Sequence, residues 1–182
     1  MELFNSYLSM VESAKNEDTK ADRFRDFIRS AFPATNFESL SGFYPEINKY
    51  VRYLGHGHLI RGKPDSLFGN LIIEFENILD DKHLEEAEGQ LRKYAAALWS
   101  IQAERGQKRG KLTALATDGL RFIVYKPRTV IVAGPVATEQ VSLEKIDQVN
   151  LKELSIDDAY NWLSRYIVLG SSELKTVDPD EF

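Results

Sequence analysis

Leu71-Ile72-Ile73-Glu74-Phe75-Glu76 is the stretch on which the reading of this chain turns. It is short, β-branched and aromatic, and bounded by Asn70 and Asn77, which predicts a strand. Side chains alternate across a strand, so Glu74 and Glu76 share one face while Ile73 and Phe75 share the other. Asp65 precedes the strand, in a segment that also holds Pro64 and Gly69. If the two segments pair, three carboxylates converge at one end of a sheet, within about 4–7 Å of one another, a spacing that lets them share hard cations. Three such groups do not all stay ionised side by side without a cation. An oxygen-only cluster suits Mg2+ or Mn2+. Taken alone, the two glutamates are more simply read as the wet face of a half-buried strand, because alternating acidic residues on a strand are common.

Downstream of this strand, Lys82 to Arg105 is read as the longest helix, with Leu84, Ala87, Leu91, Tyr94, Leu98 and Ile101 as its buried stripe. Gly106–Gly110 is a basic loop. Leu112–Thr117 and Leu120–Lys126 flank Asp118-Gly119, a combination that predicts a hairpin with a tight primed turn. Thr129–Val136 reads as a further strand. Gln140–Leu154 and Ile156–Leu169 read as helices, the second starting at Ser155 and stopping at Gly170. Upstream, residues 2–14 and Thr19–Ala31 carry apolar stripes at helical spacing, and Pro33 ends the second. Ile47–Ile60, broken by Gly55 and Gly57, is read as extended. The expected fold class is α/β, a mixed central sheet flanked by helices.

The chain has 182 residues, enough for one domain that buries roughly 70% of its unfolded surface. No cysteine is present, which excludes disulfides and thiolate metal sites and makes a reducing compartment the natural expectation. Residues 1–10 lack the basic-then-apolar order of a signal peptide, and no apolar run reaches the length of a bilayer span. A cytoplasmic protein without membrane partners is therefore expected. Residues 1–170 form the expected domain. The polar, acidic tail 171–182 reads as a linker to a further domain. The net charge of −5 argues against coating nucleic acid by bulk charge. Basic residues do cluster in sequence on both sides of the acidic stretch, with Lys49, Arg52, Arg61 and Lys63 before it and Arg105, Lys108, Arg109 and Lys111 after it.

Taken in order, Gly62-Lys63-Pro64-Asp65, then Glu74-Phe75-Glu76, then Gln90-Leu91-Arg92-Lys93-Tyr94 resembles the PD-(D/E)xK, or restriction endonuclease-like, nuclease superfamily. Pro64-Asp65 matches its PD element. Glu74-x-Glu76 matches the (D/E)xK element, with glutamate in place of the usual lysine. Gln90-x-x-x-Tyr94 looks like the glutamine-tyrosine motif of the branch related to RecB and Cas4 nucleases. The resemblance covers roughly residues 16–135 and implies an αβββαβ core. Ala116–Tyr125 is similar to a stretch in the N-terminal nuclease-like regions of large restriction-modification proteins, which fuse a nuclease to an adenine methyltransferase or helicase.

The resemblance implies a Mg2+-dependent (or Mn2+-dependent) DNA endonuclease domain, with Asp65 and Glu74 as metal ligands. Glu76 would be a third ligand or an acceptor for the attacking water, and Gln90 would support the site. Arg61, Lys63 and Tyr94 are its candidate nucleic-acid contacts, and a fused methyltransferase or helicase its candidate partner. The alternative is a catalytically inactive nuclease-like module that binds DNA or a partner domain. Other residues have simpler readings. Tyr94, Trp99 and Trp162 suit a core; Arg92 and Lys93 suit a solvated face. Glu17 suits an acidic first helical turn. His56 and His58 suit a polar loop better than a zinc site, since His83 is the only other histidine.

Overall fold

A computed structural model of the chain describes residues 2–33, 53–55, 58–60, 66–68, 70–131 and 133–168. Two helices open it, α1 (Glu2–Glu12) and α2 (Glu17–Ala31). Asn16 caps α2, its side chain accepting the Thr19 N–H at 2.8 Å, so the helix starts two residues before the apolar stripe suggested. Strands β1 (Tyr53–Gly55) and β2 (His58–Ile60) pair as an antiparallel ribbon of their own. Strands β3 (Ser66–Phe68) and β4 (Leu71–Phe75) begin the main sheet, followed by helix α3 (Asp81–Glu104), then β5 (Thr113–Thr117), β6 (Arg121–Arg128), β7 (Ser142–Asn150) and helix α4 (Ile156–Leu163). Among the described residues the sheet order is β3-β4-β5-β6-β7, and only β4 and β5 run parallel. Parallel neighbours need a long crossover, and α3 is that crossover. The architecture is α/β with a mixed sheet, as expected from the sequence.

Alternation along β4 divides the core into two layers. Leu71, Ile73 and Phe75 join Leu115, Phe122 and Val124 under α1, α2 and α4. Ile72 joins Ala114, Ala116 and Ile123 under α3. Alanines lie on both sides of this second layer, Ala87, Ala95 and Ala96 on α3 against Ala114 and Ala116 on β5. Small side chains let the helix sit close to the strand that its crossover creates. Tyr94 and Trp99 are buried here, and Trp162 packs against the other layer.

Three expectations are corrected. Residues 129–131 and 133–136 are irregular, not a strand. Gln140–Leu154 is not a helix: a single 3-10 turn (Thr138–Gln140) leads into β7, and a second (Leu151–Glu153) leaves it. The reason is a β-bulge. Tyr125 pairs with Lys145 but Val124 pairs with Asp147, so Ile146 is an extra residue, 45% exposed. Leu143 therefore packs on the α3 layer and Val149 on the other, although both positions are odd-numbered. The insertion turns a period of two into apolar positions 143, 146 and 149, which imitates helical spacing.

The third correction concerns the hairpin turn. Thr117 is paired with Phe122, leaving four residues between them, not Asp118-Gly119 alone. Asp118 organises this turn with its side chain, Oδ1 accepting the N–H groups of Leu120 (3.0 Å) and Arg121 (2.8 Å). Helix α4 starts at Ser155 as read from the sequence, its hydroxyl accepting the Asp158 N–H, and continues through Ser164–Val168 with the wider π-helical turn. The tail 171–182 lies outside the described residues.

Candidate metal and nuclease site

The carboxyl ends of β4 and β5 lie side by side, with Glu74 paired to Ala116 and Phe75 to Thr117. Glu74 is 8% exposed. By alternation it shares the α3 side of the sheet with Ile72. Glu76 lies one residue past the strand. Its N–H still extends the ladder, donating to the Thr117 carbonyl at 2.8 Å, and its side chain is half-buried.

The segment that carries Glu76 into α3 is held at Asn77, Leu79 and Asp80. Lys20, reaching from α2, donates from Nζ to the Asn77 carbonyl at 2.6 Å. The Leu79 N–H donates to Asp118 Oδ2 at 3.4 Å, and the Leu79 carbonyl accepts from Arg121 at 2.7 Å. Asp80 caps α3, accepting the His83 N–H at 3.0 Å. That bond, followed by the contact with the His83 ring, holds the Asp80 carboxyl below its ordinary range. Thr117 ties the turn together by donating to the Arg121 carbonyl (2.7 Å) and accepting from Gly119 (2.8 Å). Two cations, Lys20 and Arg121, thus meet backbone carbonyls at the end of the sheet where the glutamates stand. Lys20 was not legible from sequence, because 57 residues separate it from Asn77. Its only signal is a lysine on the buried side of α2, where it is 9% exposed.

On α3, Tyr94 is 4% exposed and packs into the layer beneath the helix, in line with the core reading. Gln90, one turn earlier, is half-buried, with Lys93 Nζ 3.5 Å from its Oε1. Arg92 pairs with Glu88 at 2.8 Å, and Glu88 also accepts from the Tyr125 hydroxyl at 2.8 Å, so Arg92 is held in a network and is not simply solvated.

Asp65, Arg61, Lys63 and His56 lie outside the described residues. Ser66, which follows Asp65 in sequence, is paired with Ile73, which precedes Glu74. Among the described residues no three acidic or histidine side chains form a group that could hold a metal ion. The basic loop after α3 is not beside the glutamates. Parallel pairing brings Thr113 next to Leu71, so the loop arrives at the amino end of β4. The glutamates are at the other end, about 13 Å away along a five-residue strand.

The chain matches no family model, no curated protein and no solved structure. Among the described residues no helix is long and apolar enough to cross a membrane.

Proposed function

We propose that this chain is a metal-dependent nuclease domain of the PD-(D/E)xK kind, acting on DNA phosphodiesters within a restriction-modification system. The observation that carries the reading is the order of elements around Glu74. An antiparallel β3-β4 pair follows Pro64-Asp65, β4 ends at Glu74-x-Glu76, and α3 bears Gln90 and crosses over to a parallel β5. That order supports the reading through a strand pair, a crossover helix and a parallel strand, although among the described residues β1 and β2 stand in a separate ribbon and only β3 and β4 of the main sheet precede α3.

The donor chemistry fits a hard dication, since Glu74 and Glu76 offer only oxygen and Asp65 would add a third carboxylate. When bound, such an ion lowers the pKa of a coordinated water and offsets charge on a phosphoryl oxygen. The chain's own residues have separate tasks. Glu74 and Asp65 would hold the ion. Glu76 accepts the proton of the attacking water or completes the ligand set. Gln90 orients the site from α3. The clamps at Asn77 and Leu79 keep Glu76 from moving as charge develops.

The test is nicking of supercoiled plasmid by the full chain in Mg2+ or Mn2+. Parent protein is expected to nick, and Asp65→Asn and Glu74→Gln to lose at least 100-fold, the order of effect expected when a metal-activated water is lost. Glu76 in the lysine position favours one alternative, a binding module without turnover. Salt-sensitive DNA binding with no nicking in either metal would establish it. Neither nicking nor binding would reject both.

A further inference from the structure

At the opposite end of the sheet from Glu74, a cavity of about 670 Å³ opens between the loop after α3 and the segment after β6. Its charge is one-sided. Lys108, Arg109, Lys111, Lys126 and Arg128 line it, and no aspartate or glutamate does. Arg128 is balanced, since its guanidinium holds Glu144 at 3.0 Å. The other four have no carboxylate partner among the described residues. Arg109 is the most constrained. It donates from one terminal nitrogen to the Gly134 carbonyl at 2.6 Å, and its Nε is buried with no acceptor among the described residues. Four cations without an ion-pair partner among the described residues thus line one recess, on a chain whose net charge is −5. The concentration is local to this recess.

The recess is built, not a gap between loose loops. Trp99 Nε1 donates to the Gly110 carbonyl at 3.0 Å, and Gln102 accepts the Gly110 N–H at 2.8 Å, tying the first wall to α3. Val136 N–H donates to the Ser100 hydroxyl at 2.9 Å, tying the second wall to the same helix. Ile131 supplies part-exposed apolar surface beside the cations, and Leu112 and Pro127, both buried, complete the lining. The volume lies within the range that holds ligands of roughly drug or nucleotide size.

We infer that this cavity binds a nucleoside polyphosphate, its phosphates neutralising Lys108, Arg109, Lys111 and Lys126 and its ring lying against the apolar lining at Ile131. A single phosphate would leave most of the positive charge unanswered. A ligand without an apolar body would leave the apolar wall uncovered. The inference does not depend on nuclease activity, because it uses no residue of the Glu74 site.

Fluorescence titration of the full chain with the N-methylanthraniloyl derivative of ATP tests it. Unlabelled ATP, inorganic triphosphate, adenosine and a 12-nucleotide single strand serve as competitors. Saturable binding is expected, displaced by ATP, more weakly by triphosphate, and not by adenosine. Lys108→Gln with Lys111→Gln, both exposed side chains, should weaken it at least tenfold without moving the melting temperature. Arg109→Lys, which keeps the charge but not the fork, should weaken it as well. Absence of saturable binding at millimolar nucleotide would overturn the proposal. So would binding unchanged in the double variant. Oligonucleotide binding that the variant abolishes, with no nucleotide binding, would also overturn it and assign the recess to a nucleic-acid strand.

Discussion

Gly119 and Tyr7 show how single residues hold the turn beside the candidate site. Gly119 has φ +87°, and a Cβ there would stand 2.7 Å from Val11 Cγ1. Gly119→Ala combines a left-handed penalty with a clash against the buried Val11 side chain, and urea unfolding is expected to show a loss of about 2–4 kcal/mol. The Tyr7 hydroxyl donates to the Gly119 carbonyl. Burial, then the charge of Asp118, pushes that hydroxyl well above its ordinary value of 10.0. A group whose pKa is raised on folding contributes stability that is fully present below its unfolded value and lost as pH climbs above it. The protein should therefore lose stability progressively above about pH 10. Tyr125 acts in the same sense, first through burial and then through its bond to Glu88. Tyr7→Phe should cost about 1 kcal/mol at pH 7 by leaving a buried carbonyl without its donor. It should also flatten the decline above pH 10, measured by denaturant melts from pH 7 to 11. An unchanged alkaline slope would mean that Tyr7 is not the titrating group.

Two elements carry consequences larger than any one side chain. The bulge in β7 places Ile146 outside the ladder while keeping both flanking registers intact. Removing Ile146 would join those registers directly, with Lys145 and Asp147 already opposite adjacent residues of β6. The deletion should leave the melting temperature within about 4 °C, the shift expected for roughly 1 kcal/mol in a domain of this size. Deleting Gln148 should cost about 2 kcal/mol or more, because it turns Val149 out of the core or pulls Leu151 from its bond to Leu120. The clamp on the segment after β4 is the second case. Lys20→Met keeps the buried stem and removes the ammonium that holds Asn77. Nicking should fall about tenfold, as loosening of a positioned group predicts, with the fold retained by circular dichroism. A variant that nicks as well as the parent would show that Lys20 serves stability alone.

For the whole molecule, the sheet separates two chemistries by its length. Acidic side chains occupy the carboxyl end of β4, while the cations of the recess gather at its amino end. Sites without shared partners behave independently. The Lys108→Gln, Lys111→Gln variant is therefore expected to nick plasmid within about twofold of the parent, even as nucleotide binding falls. DNA affinity should decline with salt, because phosphate contacts release counterions, but modestly for a chain of net charge −5. A measured log–log slope near zero would remove the case for a phosphate-tracking groove.

Local patterning was enough to specify β4, α3, the β5-β6 hairpin and the Ser155 cap, because each depends on neighbours within a turn or a strand. It was also enough to nominate Glu74, Glu76 and Gln90, since motif order is a property of the chain. Three things were decided only in space. The bulge at Ile146 disguised β7 as a helix, because a period-two signal shifted by one residue resembles a longer period. Lys20 came to Asn77 from 57 residues away, a contact made by the packing of α2 against the sheet. The basic loop near the glutamates in sequence was carried to the far end of β4, because α3 spans about 36 Å and a parallel neighbour must restart at the same end as the strand it follows.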